Sequence, residues 1–415
     1  MIPFLRTRLS VMMFLQYVIW GAWYVTITTY LTTTLHFSAT QAGAVFGTTA
    51  LASLVSPFFV GLVADRFFAT ERVMATLYMI CAVLMFLVTR VESFGAVYGL
   101  VLAFCLCYFP TIALTNSITM QQVPDPGRDF PRIRVMGTIG WIAISLVVGF
   151  LRIEASATQF LLGAGAAVVM AVYSLVALPH TPPPGRGQKV TVRQVLGLDA
   201  LAMMKDRSYL VFVIASVLAC IPLTFYYSFT NAYLNDVGVV NAAGKMTLGQ
   251  VSEVALMLLM PVVFRLMSVR GILLAGLLAW TVRYLLLGYG NPGSGVWMFY
   301  LAILLHGICY DFFFVTGQLY TDQEAPAHLR STAQGFITFL TYGLGMLIGS
   351  LLSGTALDYF TTTTGGAVVR NWTGFWLSSA AMSFGIMLLV FLFFRSSARI
   401  QAEPAAALQP AQAPA

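Results

Sequence analysis

Charge is what this chain has least of. Only 9% of its 415 residues are Asp, Glu, Lys or Arg, against about 25% in a soluble domain. That is too little polar surface to face water, and it excludes a soluble globular enzyme. Histidine is scarce too. Of the four, His36, His180 and His328 fall in loops or at the ends of apolar runs, and only His306 lies within one. No nucleophile–base set and no metal-ligand set can be assembled from them. The five cysteines, Cys81, Cys105, Cys107, Cys220 and Cys309, each sit inside an apolar run at spacings that suit no zinc site. They read as small apolar packing residues. A Gly-x-x-x-x-Gly-Lys-Ser/Thr loop is missing, so ATP is not expected, and no cofactor is implied. The first apolar run is longer than a signal-peptide core and lacks a clear cleavage site, so it reads as a membrane span.

Hydrophobic residues, by contrast, make up 59% of the chain, and its mean hydropathy is +0.84. Lipid is the solvent that suits such a composition. Apolar runs fall at 11–31, 42–62, 72–90, 96–118, 135–153, 159–178, 208–230, 247–268, 271–289, 296–320, 331–355 and 371–394. At about 20 residues each these predict twelve transmembrane helices. Placing the runs alternately up and down leaves Arg90, Arg152, Lys245 and Arg370 on one side. Arg283 falls within a run, and every other Lys and Arg lies on the opposite side. This asymmetry, rather than a nucleic-acid-binding patch, accounts for the net charge of +7. It predicts that both termini are cytoplasmic.

The longest connection splits the runs six and six. It opens on the polar, stiff segment Pro179-His180-Thr181-Pro182-Pro183-Pro184-Gly185 and continues through an amphipathic stretch from Val190 to Met204. The expected division is a six-helix bundle over 1–178, a central cytoplasmic loop over 179–207, a second six-helix bundle over 208–395 and a disordered tail over 396–415. Two such halves around a midplane cavity are the plan of many secondary transporters. Prolines 57, 110, 222 and 261 lie within runs and are expected to kink helices. Gly335, Gly343, Gly345, Gly349 and Gly354 are expected to mark close helix packing.

Of the fifteen acids, only Glu253 and Asp311 lie well inside a run. Ionisable groups at that depth are expensive and are functional candidates. Either could carry a proton, or either could form a structural or gating pair with Arg283. Helical spacing groups further polar side chains on single faces. Gln250 lies one turn before Glu253. Arg134, Thr138 and Trp141 share a face, as do Thr224, Tyr227 and Asn231, and as do His306 and Tyr310. Aromatic planes beside donors and acceptors suit a solute with a flat ring and several hydroxyls. Gln16, Trp20 and Asn116 are secondary candidates for lining a cavity.

Several blocks carry a family resemblance. Gly61-Leu62-Val63-Ala64-Asp65-Arg66 looks like the Gly-x-x-x-Asp-Arg gating loop of the major facilitator superfamily. Phe14 to Trp23, Asp129 to Trp141 and His306 to Phe314 together resemble the bacterial nucleoside:proton symporters of that superfamily, collinearly from the first run to the last. The resemblance implies an all-α major facilitator fold and a proton-coupled nucleoside importer of the inner membrane, working by alternating access as a monomer. It implies substrate contacts at Arg134, Thr138, Trp141, Gln250, Glu253, His306 and Tyr310, and a transport role for Asp311. Asp65, Arg66 and Arg283 are gating or structural candidates. Departures from the family pattern are Thr224 and Tyr227 where amides would stand, His306 for a tyrosine, and Trp141 for a phenylalanine. They bear on the exact substrate more than on its class. A proton-coupled sugar or other polar-solute porter is the alternative within the superfamily. Polar helix faces argue against a drug exporter, the two-half plan with buried acids argues against a channel, and the want of a nucleophile–base or metal-ligand cluster argues against an intramembrane enzyme.

Overall fold

The computed structural model describes residues 4–59, 69–182, 197–365, 367–396 and 400. Ten helices among them are long and apolar enough to cross a bilayer, from Thr70–Val88 to Trp372–Phe393. Two more passages precede these. The first is made in two pieces, Leu5–Gly21 and Ile27–Thr33, and the second is Ala39–Phe59. The remaining passages are the fourth, Phe94–Gln122, the fifth, Pro126–Phe150, and the sixth, Thr158–Val176. After the central connection come the seventh, Arg207–Asp236, the eighth, Ala242–Leu266, and the ninth, Val269–Tyr289. The tenth and eleventh span Val296–Glu324 and Thr332–Tyr359. The mostly helical membrane fold expected from the sequence is present.

Several boundaries differ from expectation, each for a local reason. The first passage is not one continuous helix. Its ladder tightens where Tyr24 N–H and Trp23 N–H both reach the Trp20 carbonyl, at 3.2 and 3.4 Å. At the break the Thr26 hydroxyl donates to Gln159 Oε1 of the sixth passage and lies 3.3 Å from the Trp23 carbonyl. The fifth passage begins well upstream of the expected 135. Asp125 caps it by accepting from Arg128 N–H at 3.2 Å, and Pro126 stands at the first helical position. Arg134 therefore lies inside this helix. Asp206 and Asn241 cap the seventh and eighth passages in the same way. Pro110, Pro222 and Pro261 stand inside helices that continue through them. The tenth passage widens to a π-helix over Asp311–Val315, and the eleventh over Phe339–Gly345. Such wide turns often mark functional sites.

In the central connection, Leu198–Lys205 forms a short 3-10 helix, while the rest of the expected amphipathic stretch, before Gly197, is outside the described residues. A two-stranded hairpin, β1 Thr361–Thr364 and β2 Ala367–Arg370, links the last two passages and was not expected.

The first and fifth passages pack together within one half, and the ninth and twelfth within the other. The second and eleventh meet across the halves. There a Cβ on Gly43 would stand 2.5 Å from the Ser350 carbonyl, and one on Gly354 2.5 Å from the Ala39 carbonyl. Close approach is thus the reason for glycine at both positions. Gly343, Gly345 and Gly349 also face tight contacts, as expected, but Gly335 looks into open space.

Among the described residues, every hydrogen bond between the halves lies at the end remote from the chain termini. Thr28 donates to the Ser228 carbonyl, and Thr29 donates to Asn231 at 2.6 Å. Asp358 accepts from the N–H groups of Ala39 and Thr40 at 2.9 and 2.8 Å. Glu154 accepts from Asn231, Asn235 and Ala243 N–H.

Candidate functional site: a cavity between the halves

A cavity of about 220 Å³ opens between the two halves. One half contributes the Tyr17, Trp20 and Tyr24 face, Thr49 and Ser53 of the second passage, and Arg134, Thr138 and Trp141 of the fifth. The other contributes Tyr227, Gln250, Glu253, His306, Tyr310 and Tyr342.

The aromatic rings form a cluster. Trp20 meets Trp141 edge-on at 5.4 Å, Tyr24 meets Trp141 at 5.6 Å, and Tyr24 meets Tyr227 across the halves at 6.0 Å. The Arg134 guanidinium lies 4.3 Å over the Tyr17 ring, a cation–π contact that fixes its direction. On the far side, the Tyr310 and Tyr342 hydroxyls are hydrogen-bonded to each other, beside the two π-helical turns. His306 Nε2 lies 3.6 Å from Glu253 Oε2. The cavity therefore offers flat aromatic faces together with a guanidinium, an amide, a carboxyl, an imidazole and hydroxyls. That combination can hold a planar, polyhydroxylated solute by stacking and hydrogen bonding at once.

Eight of the residues singled out from sequence line this cavity: Arg134, Thr138, Trp141, Tyr227, Gln250, Glu253, His306 and Tyr310. Thr224 does not. It is fully buried, its hydroxyl donates to the Cys220 carbonyl at 2.6 Å, and it packs against Gly349. Asn231, on the same sequence face, is drawn to Thr29 and Glu154 instead. Asp311 is also fully buried and lies behind the cavity wall, beside Tyr310. Both of its carboxyl oxygens lack a hydrogen-bond partner among the described residues. Arg283 does not pair with either deep acid. Its Nη1 donates to His306 Nδ1 at 3.1 Å, and its guanidinium carbon lies 3.3 Å from the Tyr226 ring centre. Asp65 and Arg66 lie outside the described residues. Of the secondary candidates, Trp20 reaches the cavity. Gln16 is consumed within one half by bonds with Tyr78 and Thr111.

Sequence reasoning missed Tyr17, Tyr24, Thr49, Ser53 and Tyr342. Tyr17, Trp20 and Tyr24 are spaced i, i+3 and i+7, so the same face test would have found them.

A membrane-embedded bundle in two halves, with a polar and aromatic cavity between them and, among the described residues, inter-half hydrogen bonds at one end, is a solute transporter of the alternating-access type. The chain belongs to the nucleoside H+ symporter family, whose sequence pattern matches residues 4–399. It is 42% identical over 403 residues to the putative nucleoside transporter YegT of Escherichia coli, covering 94% of each chain. It is 30% identical over 402 residues to the xanthosine permease of Escherichia coli, covering 93% of this chain and 94% of that one. Among solved structures it resembles the nucleoside transporter NupG, with a TM-score of 0.86 and 28% identity, covering 94% of this chain and 99% of that one.

Proposed function

We propose that this chain imports nucleosides with protons across the cytoplasmic membrane of a bacterium, as a lipid-embedded monomer with both termini inside. The observation that carries the reading is the composition of the cavity wall. Trp20, Tyr24 and Trp141 supply aromatic surface for a base, and Arg134, Gln250, Glu253 and His306 supply polar groups for base edges and ribose hydroxyls. Family membership and the named activities of the relatives support the same substrate class.

In this reading nucleoside and proton enter while the cavity faces outward. Their joint binding favours the occluded state, the halves rock, and both leave to the cytoplasm. Glu253 sits where it can meet both ligands. Asp311, buried and without a hydrogen-bond partner among the described residues, serves the proton. A lone carboxylate is costly at that depth, and taking up a proton removes its charge.

The test is equilibrium binding of uridine and adenosine to the purified protein. Saturable binding of either supports the reading. A folded protein that binds neither, but binds a hexose, would replace it with the sugar-porter alternative.

A further inference from the structure

We propose that Arg283 is a positioning residue that sets the tautomer of His306, so that the imidazole presents an N–H, and not a lone pair, to Glu253 and the cavity. The inference deepens the nucleoside reading, but its first measurement requires no substrate.

A guanidinium has donors only. Its Nη1 stands 3.1 Å from His306 Nδ1, so that ring nitrogen must be the acceptor. The ring proton then sits on Nε2, which faces Glu253 Oε2 at 3.6 Å. The ring has little freedom to turn away. Tyr226 stacks on it at 5.7 Å and 20°, Tyr227 meets it at 5.9 Å and 77°, and Gly249 closes on its Cβ. Arg283 is held as firmly, fully buried with its guanidinium over the same Tyr226 ring. The groups facing His306 are thus Tyr226 and Tyr227 of the seventh passage, Glu253 of the eighth, Arg283 of the ninth and Tyr310 of its own.

The burial of Arg283 calls for an explanation of this kind. Its Nε and Nη2 have no partner, and no carboxylate pairs with it among the described residues. An unpaired buried cation is expensive. The nearest acid along the line of contacts is Glu253, reached through the imidazole. The three side chains form a relay of fixed polarity in which Arg283 donates to His306 and His306 offers its proton to Glu253. Arg283 does not line the cavity, so its effect on ligands passes through His306. Without it the imidazole could adopt either tautomer, and one of them would turn a lone pair toward the Glu253 carboxylate.

The test is solid-state nuclear magnetic resonance of the full chain in bilayers with 15N-labelled histidine. The His306 signals are identified by their loss in His306→Gln. The expected wild-type result is a single neutral tautomer protonated at Nε2. A ring protonated at Nδ1, or doubly protonated, overturns the proposal, and this decides the matter even if an Arg283 variant fails to fold. In Arg283→Met the single tautomer should give way to a mixture, and nucleoside affinity should fall about tenfold, the loss of one oriented polar contact. An unchanged spectrum, or a changed spectrum with unchanged affinity, contradicts a positioning role. If the wild type shows the expected tautomer yet binds no nucleoside, the substrate reading fails and the tautomer assignment stands.

Discussion

Glu154, in the link after the fifth passage, accepts a hydrogen bond of 2.8 Å from the backbone N–H of Ala243, in the first turn of the eighth. Its other carboxyl oxygen accepts from Asn231 at 3.2 Å and from Asn235. One buried carboxyl of one half thus satisfies three donors of the other. A solute entering at this end must break all three bonds. Glu154→Ala takes the acceptor from the Ala243 N–H and the carboxylate contact from Asn231 and Asn235, which keep weaker partners within their own half, and should weaken the closed end by about 1–3 kcal/mol. Spin-label distances across the halves at this end should then show a growing long-distance population. An unchanged distribution would show that Glu154 does not hold the end shut.

Gly43 makes the same point through packing. A Cβ there would meet the Ser350 carbonyl at 2.5 Å, and a backbone oxygen has no rotamer by which to yield. Gly43→Val should cost the clasped state about 1–3 kcal/mol as overpacking does. The same distance measurement checks it, and the expected shift has the same direction as that of Glu154→Ala. A variant that closes as fully as the wild type contradicts the packing account.

At the cavity, Arg134→Ala and Glu253→Gln should each weaken nucleoside binding by about 10–100-fold, the range for losing a hydrogen bond to a charged group. Isothermal titration of the purified variants measures this. If both bind normally, the solute sits elsewhere.

Thr224→Val separates the structure from the sequence pattern. The hydroxyl is spent on the Cys220 carbonyl and the side chain packs against Gly349. Nucleoside affinity should change by less than about threefold, since only a local bond of about 1 kcal/mol is lost. A large loss of affinity would return Thr224 to the site.

These cases also show what could be read before the fold was known. Apolar runs locate spans because lipid admits little else, and helical spacing correctly grouped Arg134, Thr138 and Trp141 on one cavity face. The same spacing grouped Thr224, Tyr227 and Asn231, yet only Tyr227 reaches the cavity. A face spread over two turns of the seventh passage meets different neighbours at each level: Gly349, the cavity, then Glu154. Spacing along one helix carries no information about what stands opposite. For that reason Arg283 could be expected to pair with a deep acid, whereas it bonds His306. The aromatics Tyr17 and Tyr24 merged with an apolar run, and so did the break at residues 22–26. At that break the Thr26 hydroxyl donates to Gln159 of the sixth passage, a partner that composition does not reveal.

Asp311 bears on the coupling itself. Its carboxyl is buried, without a hydrogen-bond partner among the described residues, and stands at a π-helical turn behind the cavity. Asp311→Asn removes the titrating group and nearly keeps its shape. Nucleoside binding should survive within about threefold, while accumulation against a gradient is lost. Normal accumulation by this variant would remove Asp311 from the proton path.

The central claim is proton-driven nucleoside import, and uptake by oriented proteoliposomes tests it most directly. Radiolabelled uridine and adenosine are offered with and without an inward proton gradient. The account predicts accumulation of at least one of them above equilibrium with the gradient, and only equilibration without it. Uptake indifferent to the gradient, or no uptake of any nucleoside by protein shown to be folded, would contradict it.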